Sequence, residues 1–130
     1  MIKYHSQFLL DKEKDNPTAK LRYRIKWEGN IVAFNVGYRV EVDKWSTDTQ
    51  RCKINTTHGK KKIPANIINR KIQEYEAICE RLFLEFERDK IIPIKDVFRD
   101  NFNRELGRAD KLEKDKFFFD VYDVFLNEES

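Results

Sequence analysis

One stretch of the chain, residues 20–37, alternates so strictly that it limits the possible folds more than any other segment. Apolar and basic side chains follow one another through its first half, in the order Leu21, Arg22, Tyr23, Arg24, Ile25, Lys26 and Trp27. Because successive side chains of a β-strand point to opposite faces, this order predicts a strand with one apolar and one basic face.

The second half of the stretch predicts the partner strand of a β-hairpin. Gly29 and Asn30 are the expected two-residue loop, because both residue types tolerate positive φ. That loop pairs Trp27 with Val32, Ile25 with Phe34, Tyr23 with Val36, Lys26 with Ala33, Arg24 with Asn35 and Arg22 with Gly37. We therefore expect Trp27 and Phe34 in the core, and a basic outer face that lies opposite small residues.

The remaining patterns complete an α+β fold. Alternation from Tyr4 to Leu10 predicts a first strand, and residues 66–90 carry an apolar stripe at helical spacing. Pro93 separates this long helix from a shorter one that ends at Gly107. The expected architecture is a three-stranded antiparallel sheet packed on the long helix and followed by the short helix.

The last part of the chain predicts a second domain. Residues 108–115 are polar and charged, which is typical of a linker, and residues 116–130 start an aromatic-rich helix whose apolar face finds no partner before the chain ends. We therefore expect a domain over 1–107, a linker over 108–115, and the truncated start of a helical domain over 116–130.

Charge is distributed unevenly along the chain, although the net charge is only +3. Residues 17–62 contain eleven Lys/Arg and four Asp/Glu, a net charge of +7, whereas residues 63–130 carry −4. A basic segment of this kind favours a polyanionic partner. No apolar run reaches the ~18 residues of a membrane span. The N-terminus lacks the apolar core of a signal peptide, so we expect a cytoplasmic protein without membrane contact.

Three features of the basic face favour nucleic acid over plain solvent exposure, which is the commoner role of a polar sheet face. No acidic residue occurs between Lys20 and Lys26, and the residues predicted opposite are small. Further cations follow in the chain, namely Arg39, Arg51, Lys53 and the run Lys60, Lys61 and Lys62. A two-stranded ribbon fits the ~12 Å major groove of B-DNA, where arginine can read guanine and asparagine can read adenine. Loop lysines would neutralise phosphates without reading sequence.

The order of these motifs resembles the N-terminal arm-DNA-binding domain of bacterial tyrosine recombinases, the integrases of phages and conjugative transposons, especially the type common in Bacteroidetes. The similar features are an arginine-bearing strand before a glycine turn, the segment Val36-Gly37-Tyr38 followed by Val40 and Trp45, and the aromatic stretch KFFFDVYDVFLNEES. The resemblance covers essentially the whole chain. The catalytic domain of that family, with its arginine-rich pocket and nucleophilic tyrosine, is absent from it.

The resemblance implies that a three-stranded sheet enters the major groove of arm-type DNA sites. It implies sequence-specific binding of double-stranded DNA during integration and recombination of a mobile element, with other recombinase protomers as further partners of the full-length protein. Together with the charge pattern, it points to these DNA-binding residues: Arg22, Arg24, Lys26, Asn35, Arg39, Arg51, Lys53, Lys60, Lys61 and Lys62.

Other chemistries find less support in the sequence. It contains no nucleophile-elbow, P-loop, zincin or EF-hand pattern, and no tyrosine has the surroundings of the recombinase nucleophile. His5 and His58 are expected at the surface of a strand or turn, and Cys52 and Cys79 as buried or half-buried free thiols. We expect no catalytic residue, metal or cofactor. Two alternatives stay open: a protein-interaction module that uses the long helix and the C-terminal aromatics, and an RNA-binding domain.

Overall fold

The computed structural model describes residues 2–107, which form an α+β fold around one hydrophobic core. Three antiparallel strands, β1 (Tyr4–Lys12), β2 (Thr18–Trp27) and β3 (Asn30–Glu41), form a sheet in the order β1–β2–β3. Two helices, α1 (Ala65–Arg88) and α2 (95–107), follow. The predicted fold class is confirmed. The linker and the third helix predicted over 108–130 lie outside the described residues.

Short strand pairs connect the sheet to α1. After a 3₁₀ turn at Val42–Lys44, the strands pair as β4 (Trp45–Ser46) with β5 (Arg51–Cys52), and β6 (Thr57–His58) with β7 (Ile63–Pro64). The segment THGKKKIP, predicted as a basic loop, is therefore a β-hairpin that carries its lysines in the turn.

The inner face of the sheet forms the core together with both helices. Trp27 and Phe34 are buried, as expected. Phe83 of α1 lies 5.4 Å from Trp27 between ring centroids, and Phe102 of α2 stacks on Phe34 at 4.3 Å. The indole N–H of Trp27 donates to the carbonyl of Pro93, 2.8 Å away, and so ties the turn between the helices to β2. The apolar stripe of α1 is thus part of the core.

The register predicted for the hairpin is wrong by two residues. The loop consists of Glu28 and Gly29, with φ of 40° and 77°, so Asn30 pairs with Trp27. The side-chain amide of Asn30 donates to the carbonyl of Glu28 at 3.3 Å, which stabilises this turn. The observed pairs are Ile25 with Val32, Tyr23 with Phe34, Lys26 with Ile31, Arg24 with Ala33 and Arg22 with Asn35. A shift by two residues leaves every side chain on its predicted face.

A β-bulge at Gly37 changes the register farther from the loop. Arg22 pairs with Asn35, whereas Lys20 pairs with Arg39, so β3 contains extra residues at this point. Gly37 adopts a φ of 96°, a left-handed conformation that other residues rarely adopt. Its N–H donates to Oδ1 of Asn35 at 3.0 Å. Gly37 therefore shapes the bulge. The predicted pairing of Gly37 with Arg22 is wrong.

Candidate nucleic-acid interface

The outer face of the sheet is the candidate interface, because the helices pack on the inner face. Strand pairing arranges its side chains in rows across β1, β2 and β3. From the hairpin loop onward, the rows are His5–Lys26–Ile31, Gln7–Arg24–Ala33, Leu9–Arg22–Asn35 and, beyond the bulge, Asp11–Lys20–Arg39. The middle residue of every row is basic, so a line of cations follows β2 along the outer face.

Two of these cations, Arg24 and Lys26, keep their charges uncompensated. Lys26 is exposed and Arg24 is half-buried. Among the ion pairs of residues 2–107, none involves either side chain. Arg24 lies opposite Ala33 on β3, whose side chain is a single methyl group.

The other two arginines of the outer face have acidic partners from β1 and the turn that follows it. The Nε of Arg22 donates to Oδ2 of Asp11 at 3.1 Å, and Nη2 of Arg39 donates to Oε1 of Glu13 at 2.8 Å. The hydrogen bond from Arg39 lowers the pKa of Glu13. The expected absence of acidic residues therefore holds for β2 alone and not for the whole face.

Asn35 has a structural role that the sequence did not indicate. Its Oδ1 accepts the hydrogen bond from the N–H of Gly37, which holds the bulge. Bidentate recognition of adenine uses both the oxygen and the nitrogen of an asparagine amide. Asn35 would have to share or release its bond to Gly37 in order to read a base.

Arg51 and Lys53 do not lie on the outer face. Arg51 forms an ion pair between its Nη2 and Oε1 of Glu76, which belongs to α1 on the helical side of the sheet. The Nζ of Lys53 donates to the carbonyl of Asp43 at 3.1 Å, next to the 3₁₀ turn. These two predicted residues are therefore separate from the rows of Arg22, Arg24 and Lys26.

Lys60, Lys61 and Lys62 lie in the β6–β7 turn, and His58 anchors this hairpin on the end of β3. Nδ1 of His58 accepts from the N–H of Glu41 at 3.0 Å, so the ring proton is on Nε2, which donates to Oγ1 of Thr56 at 2.8 Å. Only 1% of the His58 surface is exposed, and burial lowers its pKa. The prediction of a surface histidine is wrong here, because a neutral imidazole finds partners for both ring nitrogens.

Sequence reasoning missed two polar side chains of the outer face, His5 and Gln7. Both lie on β1, where His5 is opposite Lys26 and Gln7 is opposite Arg24. The signal was present in the alternation that predicted β1, since its polar positions point away from the core. Both could serve as additional hydrogen-bonding groups beside the basic line.

The two cysteines are buried thiols with raised pKa values. Cys52 and Cys79 are buried and free, as predicted, and burial raises their pKa values to about 11 and about 12. In the described range, no cluster of His, Cys, Asp and Glu could hold a metal ion. Nor does any helix between residues 2 and 107 combine the length and hydrophobicity needed to cross a membrane.

No protein-family model, curated protein sequence or solved structure matches the chain significantly. The geometry of the outer face and the order of the sequence motifs are therefore the basis for assigning a function.

Proposed function

We propose that the outer face of the sheet binds double-stranded DNA by entering the major groove. The observation that carries this proposal is the line of cations on β2, from Lys20 to Lys26, on the face that neither helix covers. A sheet ribbon is narrow enough for the major groove, and the cations would be attracted by the phosphates on both sides.

Within this interface, Arg24 is the proposed base-reading residue. Its guanidinium has no acidic partner among residues 2–107 and lies between Gln7 and Ala33 in its row. Arginine can donate two parallel hydrogen bonds to guanine, and glutamine can pair in the same way with adenine. Ile31, which is 54% exposed beside Lys26, offers an apolar contact of the kind that suits a thymine methyl group.

We further propose that the chain is the arm-site-binding part of a tyrosine recombinase that integrates a mobile element. The support is the order of its motifs, which resembles that family from the first strand to the C-terminal aromatic stretch. In this proposal the chain has no catalytic residue of its own and works on cytoplasmic DNA. In such a recombinase, a separate catalytic domain cuts and rejoins the strands together with partner protomers.

The affinity for short duplexes tests the DNA proposal. Arg24→Ala and Lys26→Ala should weaken binding, whereas Arg70→Ala should not, because Arg70 is exposed on α1 at the opposite side of the core. An RNA duplex of the same sequence serves as the second probe, because the A-form major groove is too narrow for side chains to read. Equal affinity for both duplexes would favour the RNA alternative. Equal effects of Arg24→Ala and Arg70→Ala would contradict the proposed face.

The protein-interaction alternative loses part of its basis. The apolar stripe of α1 is buried against the sheet, so that face of the helix is not available to another chain. The aromatic residues that this alternative also uses lie outside the described residues.

A further inference from the structure

Three segments meet at the end of the sheet where β1 ends and β2 begins. They are the turn between β1 and β2, the part of β3 beyond the bulge, and the β6–β7 hairpin. They enclose an open groove of about 1030 Å³, whose walls include Glu13, Thr18, Arg39, Lys60 and Lys61. Arg39 pairs with Lys20 in the last basic row of the outer face, and it also lines this groove. The groove therefore continues the outer face from that row.

The lysine hairpin is held firmly at the edge of this groove. The backbone N–H of Gly59 donates to Oε2 of Glu41 at 3.0 Å, next to the bond between His58 and the N–H of Glu41. Gly59 has a φ of 73° and approaches the carbonyl of Arg39. The two anchors place Lys60 and Lys61 beside Arg39 and leave the carboxylate of Glu41 engaged.

The cations of the groove outweigh the acidic group that is directed at them. Lys60 and Lys61 are exposed and form no ion pair within residues 2–107. Arg39 is oriented by two bonds, from Nε to Oγ1 of Thr18 at 3.1 Å and from Nη2 to Glu13. The side chains of Arg39 and Glu13 are 38% and 51% exposed, so their ion pair is in contact with solvent and contributes little to stability.

We propose that this groove binds a backbone phosphate of duplex DNA, and that Arg39 exchanges the carboxylate of Glu13 for the phosphate. A phosphate accepts paired hydrogen bonds from a guanidinium as a carboxylate does, and the two lysines add charge that Glu13 alone does not satisfy. In the free protein Glu13 keeps Arg39 oriented, and in the complex it competes with the phosphate. This inference rests on the proposed DNA binding and adds a second contact to it.

The spacing along the sheet agrees with simultaneous use of both contacts. Lys20, the partner of Arg39, and Arg24 are four positions apart on β2, which corresponds to about 13 Å along a strand. The major groove is ~12 Å wide, so a phosphate at its edge comes within reach when Arg24 lies at the base edges.

The test compares two arginines that form similar ion pairs on different sides of the molecule. Arg39 and Arg51 each form an ion pair with a glutamate, but Arg51 does so against α1. Affinity for a duplex is measured at several salt concentrations. Arg39→Gln should weaken binding several-fold on any sequence and lower the salt slope by about 0.9, the value of one phosphate contact. Arg51→Gln should change neither quantity.

The carboxylate of Glu13 provides an independent test within the same experiment. Glu13→Gln should raise the affinity, because it removes the competitor of the phosphate, whereas Glu80→Gln on the exposed side of α1 makes the same change of charge with little effect. Should Arg39→Gln lose its fold, as a melting curve would show, the double variant Lys60→Ala/Lys61→Ala replaces it with the same expectations.

The possible outcomes separate this inference from the proposed function. If Arg24→Ala weakens binding but Arg39→Gln behaves like Arg51→Gln, the groove is not a phosphate site and the DNA-binding face stands. If the unmodified protein binds no duplex at low salt, both proposals fail. If inorganic phosphate bound to the protein and Arg39→Gln abolished that binding, while the same variant left the duplex affinity and the salt slope unchanged, the groove would be a site for free anions and not for DNA.

Discussion

The two faces of β2 are built from one alternating run of residues but differ in nearly every physical property. Tyr23 and Ile25 are no more than 1% exposed and are covered by aromatic and aliphatic side chains of the helices. Arg24 and Lys26, one position further along, have neither a covering element nor an ion-pair partner among residues 2–107. A single step along the strand therefore separates residues that stabilise the fold from residues that are free to bind, and substitutions on the two faces should have separable effects.

The largest expected effect belongs to the inner face. Phe34→Ala removes a buried ring that stacks on Phe102, and should lower the free energy of unfolding by about 3–5 kcal/mol. Urea denaturation measures this, with Ile31→Ala as the control, since Ile31 lies on the outer face of the same strand and should cost far less. If Phe34→Ala kept full stability but lost DNA binding, the roles of the two faces would be exchanged.

On the outer face, substitutions should change binding and leave stability nearly intact. Arg24→Ala should lose about 1–3 kcal/mol of affinity on the preferred DNA site and much less on a scrambled one. Replacing Lys60, Lys61 and Lys62 together by alanine should weaken both duplexes alike and lower the salt slope. The preferred site is found by selection from random duplexes. Loss of discrimination in the lysine variant, with a uniform loss in Arg24→Ala, would transfer the reading role to the hairpin.

The bulge in β3 determines which residues of the outer face share a row. Gly37→Ala forces a left-handed φ on a residue with a Cβ and should cost about 1–2 kcal/mol of stability, although nothing lies within 4 Å of the new atom. Gly107→Ala, at a glycine that is equally open but not left-handed, should cost little. Equal melting temperatures for the two variants would show that the bulge does not depend on glycine.

The smallest expected effect is a dependence of stability on pH that arises from His58. Burial lowers its pKa in the folded protein, so below its usual pKa of 6.5 the unfolded chain binds more protons than the folded one. Stability should therefore be complete above about pH 7 and fall as the pH drops through this range. His58→Asn retains an acceptor for the N–H of Glu41 but cannot titrate, and should remove this dependence. Urea denaturation at pH 7.5 and pH 5.5 measures the difference, and identical pH dependence in both proteins would contradict it.

Much of the fold could be predicted from the sequence because the assignment of faces depends only on whether a position is odd or even. Trp27 and Phe34 are buried as expected even though the loop was placed one residue too late. The loop itself could not be predicted, because Glu28 adopts an unfavourable positive φ there. The side-chain amide of Asn30 donates to the carbonyl of Glu28 in this turn, a contact that the alternation of apolar and polar residues does not indicate.

The candidate site could be predicted only where the strand pattern itself determines position. Arg24 and Lys26 lie on the outer face because they alternate with core residues. Arg51 was included for its charge, but linear charge clustering does not tell on which side of the core a residue lies, and Glu76 holds it against α1. Glu13 pairs with Arg39 across the end of the sheet, a contact that depends on how β1 and β3 flank β2.

Mapping of backbone amide chemical shifts during titration with a duplex tests the central claim most directly. This claim is that the outer face of the sheet, and not the helical side, binds DNA. The predicted shifts lie along residues 5–11, 20–26 and 31–39 and in the hairpin at 58–62, with α1 nearly unchanged. Shifts concentrated on α1 or on residues 91–97, with the rows around Arg24 unaffected, would contradict the claim.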